Sequence, residues 1–180
     1  MLQYRNKSAT SRELLDSSKR LSSLLLPGGV TFIVNDRADV AFLAEASGVH
    51  VGQEDLGVEA ARSLMGAEKL VGVSTHNLEQ FQHAAASSAD YIAVGPVFST
   101  RSKANPDPVI GTDFIRRVRP LSEKPIVAIG GITLDRATEL IEAGADSVAV
   151  ISDILLAPRP GKRARQFIDI LGFANHAAAG

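Results

Sequence analysis

Asp36 and Asp55 each close an apolar run: Asp36 ends TFIVND, and Asp55 follows GVHVG in the pattern Gln53-x-Asp55. Carboxylates on neighbouring strand ends can share a hard cation. Mg²⁺ takes oxygen ligands, one or two of them carboxylates and the rest from water and substrate phosphates. A structural alternative stands beside this reading. Each aspartate also precedes a helix, where a carboxylate stabilises by a few tenths to ~1 kcal/mol, and spacing does not separate the two. Gln3, Arg5 and Lys7 alternate with Leu2, Tyr4 and Asn6, so on a strand all three would share one face. Two cations there suit an anionic ligand, although a solvated chain terminus would look the same. Ser74-Thr75-His76 closes a further run, with His76 readable as a ligand, a base or a cap-region side chain. His50, between Val49 and Val51, reads as a core or lumen residue, and His83 and His176 as surface positions. The long stretch GPVFSTRSKANP carries Thr100, Ser102 and Lys103, with Arg101 between. Hydroxyls and an ammonium together make a phosphate clamp, and a polar loop of this length is more often a lid or ligand loop than a linker. Gly130-Gly131 ends PIVAI and Ile151-Ser152 ends SVAV. Glycine lets backbone N–H groups approach an anion closely, and the two features together favour a phosphate site over tight-turn glycine alone.

These residues need elements that bring them to one rim. Short Val- and Ile-rich runs recur as TFIVND, GVHVGQED, LVGVSTH, DYIAVGPVF, PIVAIGG and SVAVIS. Runs this apolar fit strands buried on both faces, as in a parallel sheet. Helical stretches lie between them. Thr10 and Glu13 form a capping box that opens SRELLDSSKRLSSLLL, and Pro27-Gly28-Gly29 ends it. A second helix is predicted over 59–65, ending at Gly66. Asn77, Thr112 and Thr133 are placed to cap three more. A last helix is predicted over 162–171, with a frayed tail. Near copies such as SSADYIAVG and AGADSVAVI mark one recurring supersecondary unit. Alternating βα units give a doubly wound sheet or a barrel. Polar or glycine residues follow every strand, which favours a TIM-type (βα) barrel, whose strand ends share one mouth. Six clear strands and an initial fragment are legible, fewer than a complete (βα)₈ barrel needs.

Composition narrows the partners. The 180 residues suffice for one domain spanning 1–180, and 45% hydrophobic with 22% charged residues is ordinary for a globular protein. A net charge of -1 gives no reason to expect nucleic acid or an anionic membrane. The absence of cysteine excludes disulfides and thiolate metal sites and fits a reducing compartment. No apolar run approaches the ~20 residues of a membrane span, and MLQYRNKSATSRELL lacks an apolar signal core. A cytoplasmic location is therefore expected.

Taken in order, QYRNK, FIVND, GVHVGQED, GVSTH, YIAVGPVFSTRSK, VAIGGI and AVIS resemble the motif set of the thiamine phosphate synthase family, from Leu2 to about Leu156. The resemblance implies a transferase that joins an aminopyrimidine diphosphate to a (carboxy)thiazole phosphate, with Mg²⁺ as cofactor. It implies that Gln3, Arg5, Lys7 and Asn35 hold the pyrimidine diphosphate, with Ser74 and Lys103 as further contacts. Asp36 and Asp55 match its Mg²⁺ ligands, Thr100 and Ser102 its thiazole-side residues, and Gly131, Ile151 and Ser152 its thiazole phosphate site. Arg5, Lys7 and Lys103 would draw off the leaving diphosphate. The loop reads Ser99-Thr100-Arg101-Ser102-Lys103 where the family usually has Pro-Thr-x-Thr-Lys, a hydroxyl-preserving change.

Family members carry an apolar strand and a helix before the Gln-x-Arg-x-Lys strand. The expectation is a barrel lacking strand 1 and helix 1, most simply because the chain is a fragment or has a wrongly assigned start. A genuinely shortened form, dimerising across its open strand edges or inactive, is the other explanation, and either leaves a homo-oligomer open. Two rival functions remain: a thiazole tautomerase on the same barrel, and an inactive phosphate-binding remnant. The joint presence of Gln3, Arg5, Lys7, Asp36, Asp55 and Lys103 favours the synthase.

Overall fold

The computed structural model describes residues 1–100 and 107–178, with side chains described through residue 172. These residues form two compact units, one of 1–74 with 86–91 and one of 75–85 with 92–180. Ser102 and Lys103, with Arg101, lie outside the described residues.

In the first unit, strands β1 (Leu2–Tyr4), β2 (Phe32–Asn35), β3 (Gly48–Val51) and β4 (Leu70–Thr75) alternate with helices α1 (Ser11–Leu25), α2 (Ala38–Leu43) and α3 (Val58–Met65). Neighbouring strands pair in parallel, with Gln3 opposite Ile33, Asn35 opposite His50, and His50 opposite Gly72. Phe32, Ile33, Val34, Val49, Val51 and Val71 are all fully buried. Consecutive residues of β2 are thus covered on both faces, as a parallel sheet requires. The capping box at Thr10 and Glu13 is present, with both reciprocal bonds made.

In the second unit, β5 (Tyr91–Val94, whose first residue, Tyr91, belongs to the first unit), β6 (Ile126–Ile129) and β7 (Ser147–Ala149) are parallel and adjacent in sequence order. Helices α4 (Leu78–Ala86), α5 (Gly111–Val118), α6 (Leu134–Glu142), α7 (Ser152–Leu155) and α8 (Pro160–Ala178) complete it. Ile92, Val94, Ile115, Ile126 and Leu140 form its core. Asp153 accepts hydrogen bonds from the Leu134 amide at 3.1 Å and from Arg163 Nε and Nη2 at 3.0 Å each, tying α6, α7 and α8 together. Strand order runs without reversal in each unit, so neither contains the switch point of a doubly wound sheet. The described residues are an α/β fold of seven parallel strands.

Of the local expectations, the Asn77 cap holds and several others need correction. β1 covers only Leu2–Tyr4, so Arg5 and Lys7 extend past the strand rather than sharing its face. Asn77 caps α4 through the Gln80 amide at 2.9 Å. Thr112 does not cap α5, because the helix starts one residue earlier, at Gly111. Thr133 occupies the cap position of α6, but its side chain makes no capping hydrogen bond. The tail continues the last helix to Ala178, as alanines, the best helix formers, allow.

Candidate functional site

At the C-terminal ends of β1 and β2, a line of donors points at one carboxylate. Gln3 Nε2 donates to Asn35 Oδ1 at 2.6 Å. With its oxygen so engaged, Asn35 turns its Nδ2 to Asp36 Oδ1. Lys7 Nζ lies 3.8 Å from Asp36 Oδ2 and remains 65% exposed, open to a further anion. The Asp36 amide is fixed on the His50 carbonyl at 2.7 Å, and its φ is 67°. A non-glycine residue in this left-handed region is uncommon, and such strain collects at ligand sites.

Asp55 comes from the turn after β3, where its Oδ2 accepts the Gly52 amide at 2.7 Å. Neither aspartate caps a helix: the cap residues of α2 and α3 are Arg37 and Gly57. The two side chains instead meet each other. Asp36 is held above the usual carboxylate range, first by burial, then by its hydrogen bond with Asp55 and the charge there, with Lys7 and Arg5 pulling the other way. Two carboxyls this close disfavour double ionisation, and a divalent cation relieves what a shared proton otherwise relieves. No group of three or more His, Cys, Asp or Glu that could hold a metal occurs among the described residues. A pair fits Mg²⁺, which keeps most of its octahedral shell for water and phosphate oxygens.

Ser74, near the end of β4, has its carbonyl tied to Gln53 Nε2 at 2.6 Å and its hydroxyl 2.8 Å from His50 Nε2. His50 Nδ1 is 3.0 Å from Tyr91 Oη. Burial pulls the His50 imidazole down to about 4 and pushes the Tyr91 phenol up, so both are neutral at physiological pH.

The second unit offers a different surface. After β5 the chain passes a cis Gly95–Pro96 peptide and follows the end of β6, the Val97 amide bonding the Ile129 carbonyl at 2.8 Å and the Phe98 amide that of Gly130 at 3.1 Å. Gly131 has φ 66°, and a Cβ there would stand 2.3 Å from the Ser99 carbonyl oxygen. Only glycine fits a backbone so packed. Arg136 lies over the Phe98 ring at 4.5 Å. Ile151 and Ser152 follow β7, which pairs with β6 through Ile129 and Ala149. Ser152 opens α7, so its amide has no intrahelical partner. Thr100 is half-buried on the loop after β5. His76, a candidate ligand or base, has Nδ1 against the Gly95 carbonyl and Nε2 3.4 Å from Asp107.

The structure therefore brings Gln3, Asn35, Asp36, Lys7 and Asp55 together, and Gly131, Ile151 and Ser152 to adjacent strand ends. The sequence reading missed Tyr91 as the partner of His50, and Gln53 as the clamp on the Ser74 backbone. Gly72, opposite His50 on β4, was the available signal for a bulky neighbour in that layer.

The chain is similar to known proteins over most of its length. The model of the family described as "Thiamine monophosphate synthase" matches residues 1–154. A thiamine-phosphate synthase of Koribacter versatilis is 54% identical over 171 residues, covering 95% of this chain and 80% of that protein. One from Shouchella clausii is 45% identical over 157 residues, covering 87% and 75%. Among solved structures, the thiamine phosphate pyrophosphorylase from Pyrococcus furiosus superposes with a TM-score of 0.86 at 34% identity, covering 96% of this chain and 82% of that one.

Proposed function

The chain belongs to the thiamine monophosphate synthase family, and from that premise we propose which of its residues carry out the coupling. It is a transferase of thiamine biosynthesis, condensing 4-amino-2-methyl-5-(diphosphooxymethyl)pyrimidine with a thiazole phosphate to give thiamine phosphate and diphosphate. The tautomerase and inactive-remnant readings are not favoured.

In the reaction, the bond between the pyrimidine methylene and the diphosphate oxygen breaks, and its electron pair leaves with diphosphate. The thiazole nitrogen lone pair then forms the new C–N bond. No protein nucleophile or strong base is required. The protein must stabilise a departing anion, and fixed charges aimed at developing charge are the strongest means available. Arg5 and Lys7 serve this role, joined by Lys103, while Gln3, Asn35 and Ser74 orient the pyrimidine diphosphate. Asp36 and Asp55 hold Mg²⁺, which when bound supplies charge neutralisation at the diphosphate oxygens. Thr100 and Ser102 contact the thiazole, and amides at Gly131, Ile151 and Ser152 bind its phosphate. Holding both substrates in line converts a bimolecular attack into an effectively unimolecular one.

The observation that carries this assignment is the Asp36–Asp55 contact with Lys7 and Arg5 beside it. On the same resemblance, residues 1–180 read as a single domain of the (βα)₈-barrel type. Seven described strands, with β1 at the Gln-x-Arg-x-Lys motif, support a barrel-type reading. No helix among the described residues is long and apolar enough to cross a membrane. The cysteine-free composition supports the cytoplasm as the location. Incubating the chain with both substrates and Mg²⁺ tests the function. Release of thiamine phosphate with one equivalent of diphosphate is expected. Isomerisation of the thiazole alone, or binding without turnover, would overturn it.

A further inference from the structure

On β3, the His50 ring lies between two hydroxyls, with Tyr91 Oη 3.0 Å from Nδ1 and Ser74 Oγ 2.8 Å from Nε2. The residue is 6% exposed, and its ring lies against the phenol with centroids 5.5 Å apart. Gly72 on β4 makes the space, since a Cβ there would stand 2.1 Å from Tyr91 Cζ. The local packing is therefore arranged around this phenol.

A neutral imidazole has one N–H and one lone pair, so it donates to one of the two hydroxyls and accepts from the other. Suppose Nδ1–H donated to Tyr91. The phenolic hydrogen would then need a second acceptor, yet Tyr91 is 9% exposed and His50 is the one hydrogen-bond partner of its hydroxyl among the described residues. A buried hydroxyl hydrogen left unpaired bears its full desolvation cost. In the other tautomer every hydrogen is used: Tyr91 O–H donates to Nδ1, and Nε2–H donates to Ser74 Oγ. Ser74 has then accepted one bond, and its own hydrogen is free to point away from the ring.

This orientation decides what Ser74 presents to a ligand. With its hydrogen turned into the ring, Ser74 would show lone pairs to an anion and repel it. With its hydrogen outward, it attracts one. We propose that Tyr91 and His50 are positioning residues that hold the Ser74 hydroxyl as a hydrogen-bond donor to the pyrimidine diphosphate. The proposal rests on the reading of Ser74 as a substrate contact, but the tautomer itself does not depend on that reading.

Two measurements test it. In the unliganded chain with ¹⁵N-labelled histidine, long-range ¹H–¹⁵N NMR reads the His50 tautomer. The Nε2–H form is expected, with its resonances moved by Tyr91→Phe. Steady-state kinetics of Tyr91→Phe, Ser74→Ala and the double variant form the second test. Tyr91→Phe is expected to lower kcat about tenfold, and the double variant to be no slower than Ser74→Ala alone. An Nδ1–H tautomer overturns the relay, and so do single losses that multiply in the double variant. If Tyr91→Phe fails to fold, the tautomer of the unsubstituted chain still decides. If the unsubstituted chain couples no substrates, the functional assignment fails, and the tautomer result stands separately.

Discussion

At Asp36, burial and the neighbouring Asp55 oppose ionisation, while Lys7 and Arg5 favour it. The net shift is upward, so between the unfolded value of ~3.9 and the higher folded value the native state binds more protons than the unfolded chain. Metal-free stability from this group therefore falls as pH rises through that window. A divalent cation competes with the same proton, so stabilisation by Mg²⁺ is expected to grow with pH across it. Thermal melts should show an upward shift of ~3–6 °C at neutral pH with Mg²⁺ about tenfold above its Kd, a smaller shift near pH 4, and none in Asp36→Asn. A full shift in that variant would remove Asp36 from the ligand set. His50 has the opposite sign. Its folded pKa is about 4, below the ordinary value of 6.5, so its stability contribution is present above pH 6.5 and is lost as pH falls toward 4. About 3 kcal/mol is linked to that titration. Denaturant melts of His50→Gln should lose this slope between pH 6.5 and 4, and an unchanged slope would place the acid sensitivity elsewhere.

Among the elements, the turn after β6 is the most constrained part of the phosphate-binding proposal. A Cβ on Gly131 would stand 2.3 Å from the Ser99 carbonyl and 2.9 Å from Phe98 Cβ, at a positive φ. Gly131→Ala must therefore displace either the turn or the loop after β5. The expected outcome is a rise of tenfold or so in KM for the thiazole phosphate, with KM for the pyrimidine diphosphate little changed, given a loss of about one hydrogen bond to a charged group. Equal effects on both would argue against a thiazole phosphate role. The strands were legible in the sequence because parallel strands buried on both faces leave continuous apolar runs, as Phe32-Ile33-Val34 does. The capping box at Thr10 was legible because its chemistry is local. α7 was not, because four residues are too few to show a helical period, and the six-residue α2 was implied only by the capping reading of Asp36. β1 was overextended because the alternation of Gln3, Arg5 and Lys7 continues past the point where pairing with β2 stops at Tyr4.

For the whole molecule, the net charge of -1 hides a local concentration of opposite charges: Arg5, Lys7, Asp36 and Asp55 lie together although no run of the sequence is strongly charged. The encounter with a diphosphate then depends on short-range fields, which salt screens over ~8 Å at physiological ionic strength. Raising NaCl from ~0.05 to ~0.5 M is expected to increase KM for the pyrimidine diphosphate several-fold while changing kcat less. An insensitive KM would mean that the exposed cations do not meet the substrate. The candidate residues were individually visible in the sequence, but that Asp36 and Asp55 meet each other and cap no helix was not. That meeting follows from the parallel pairing of β2 with β3 and the positive φ at Asp36. The Tyr91–His50–Ser74 contact was hidden for the same reason, since it joins three segments of the chain.

The most direct test is the rate of thiamine phosphate formation by the 180-residue chain, with Mg²⁺ and with chelator, compared with Asp36→Ala, Asp55→Ala and the double variant. Coupling should require the divalent ion and fall by about a hundredfold or more in each variant. The double variant should be little worse than either single one, since the pair acts as a unit. Undiminished coupling in the double variant, or in the presence of chelator, would contradict the account.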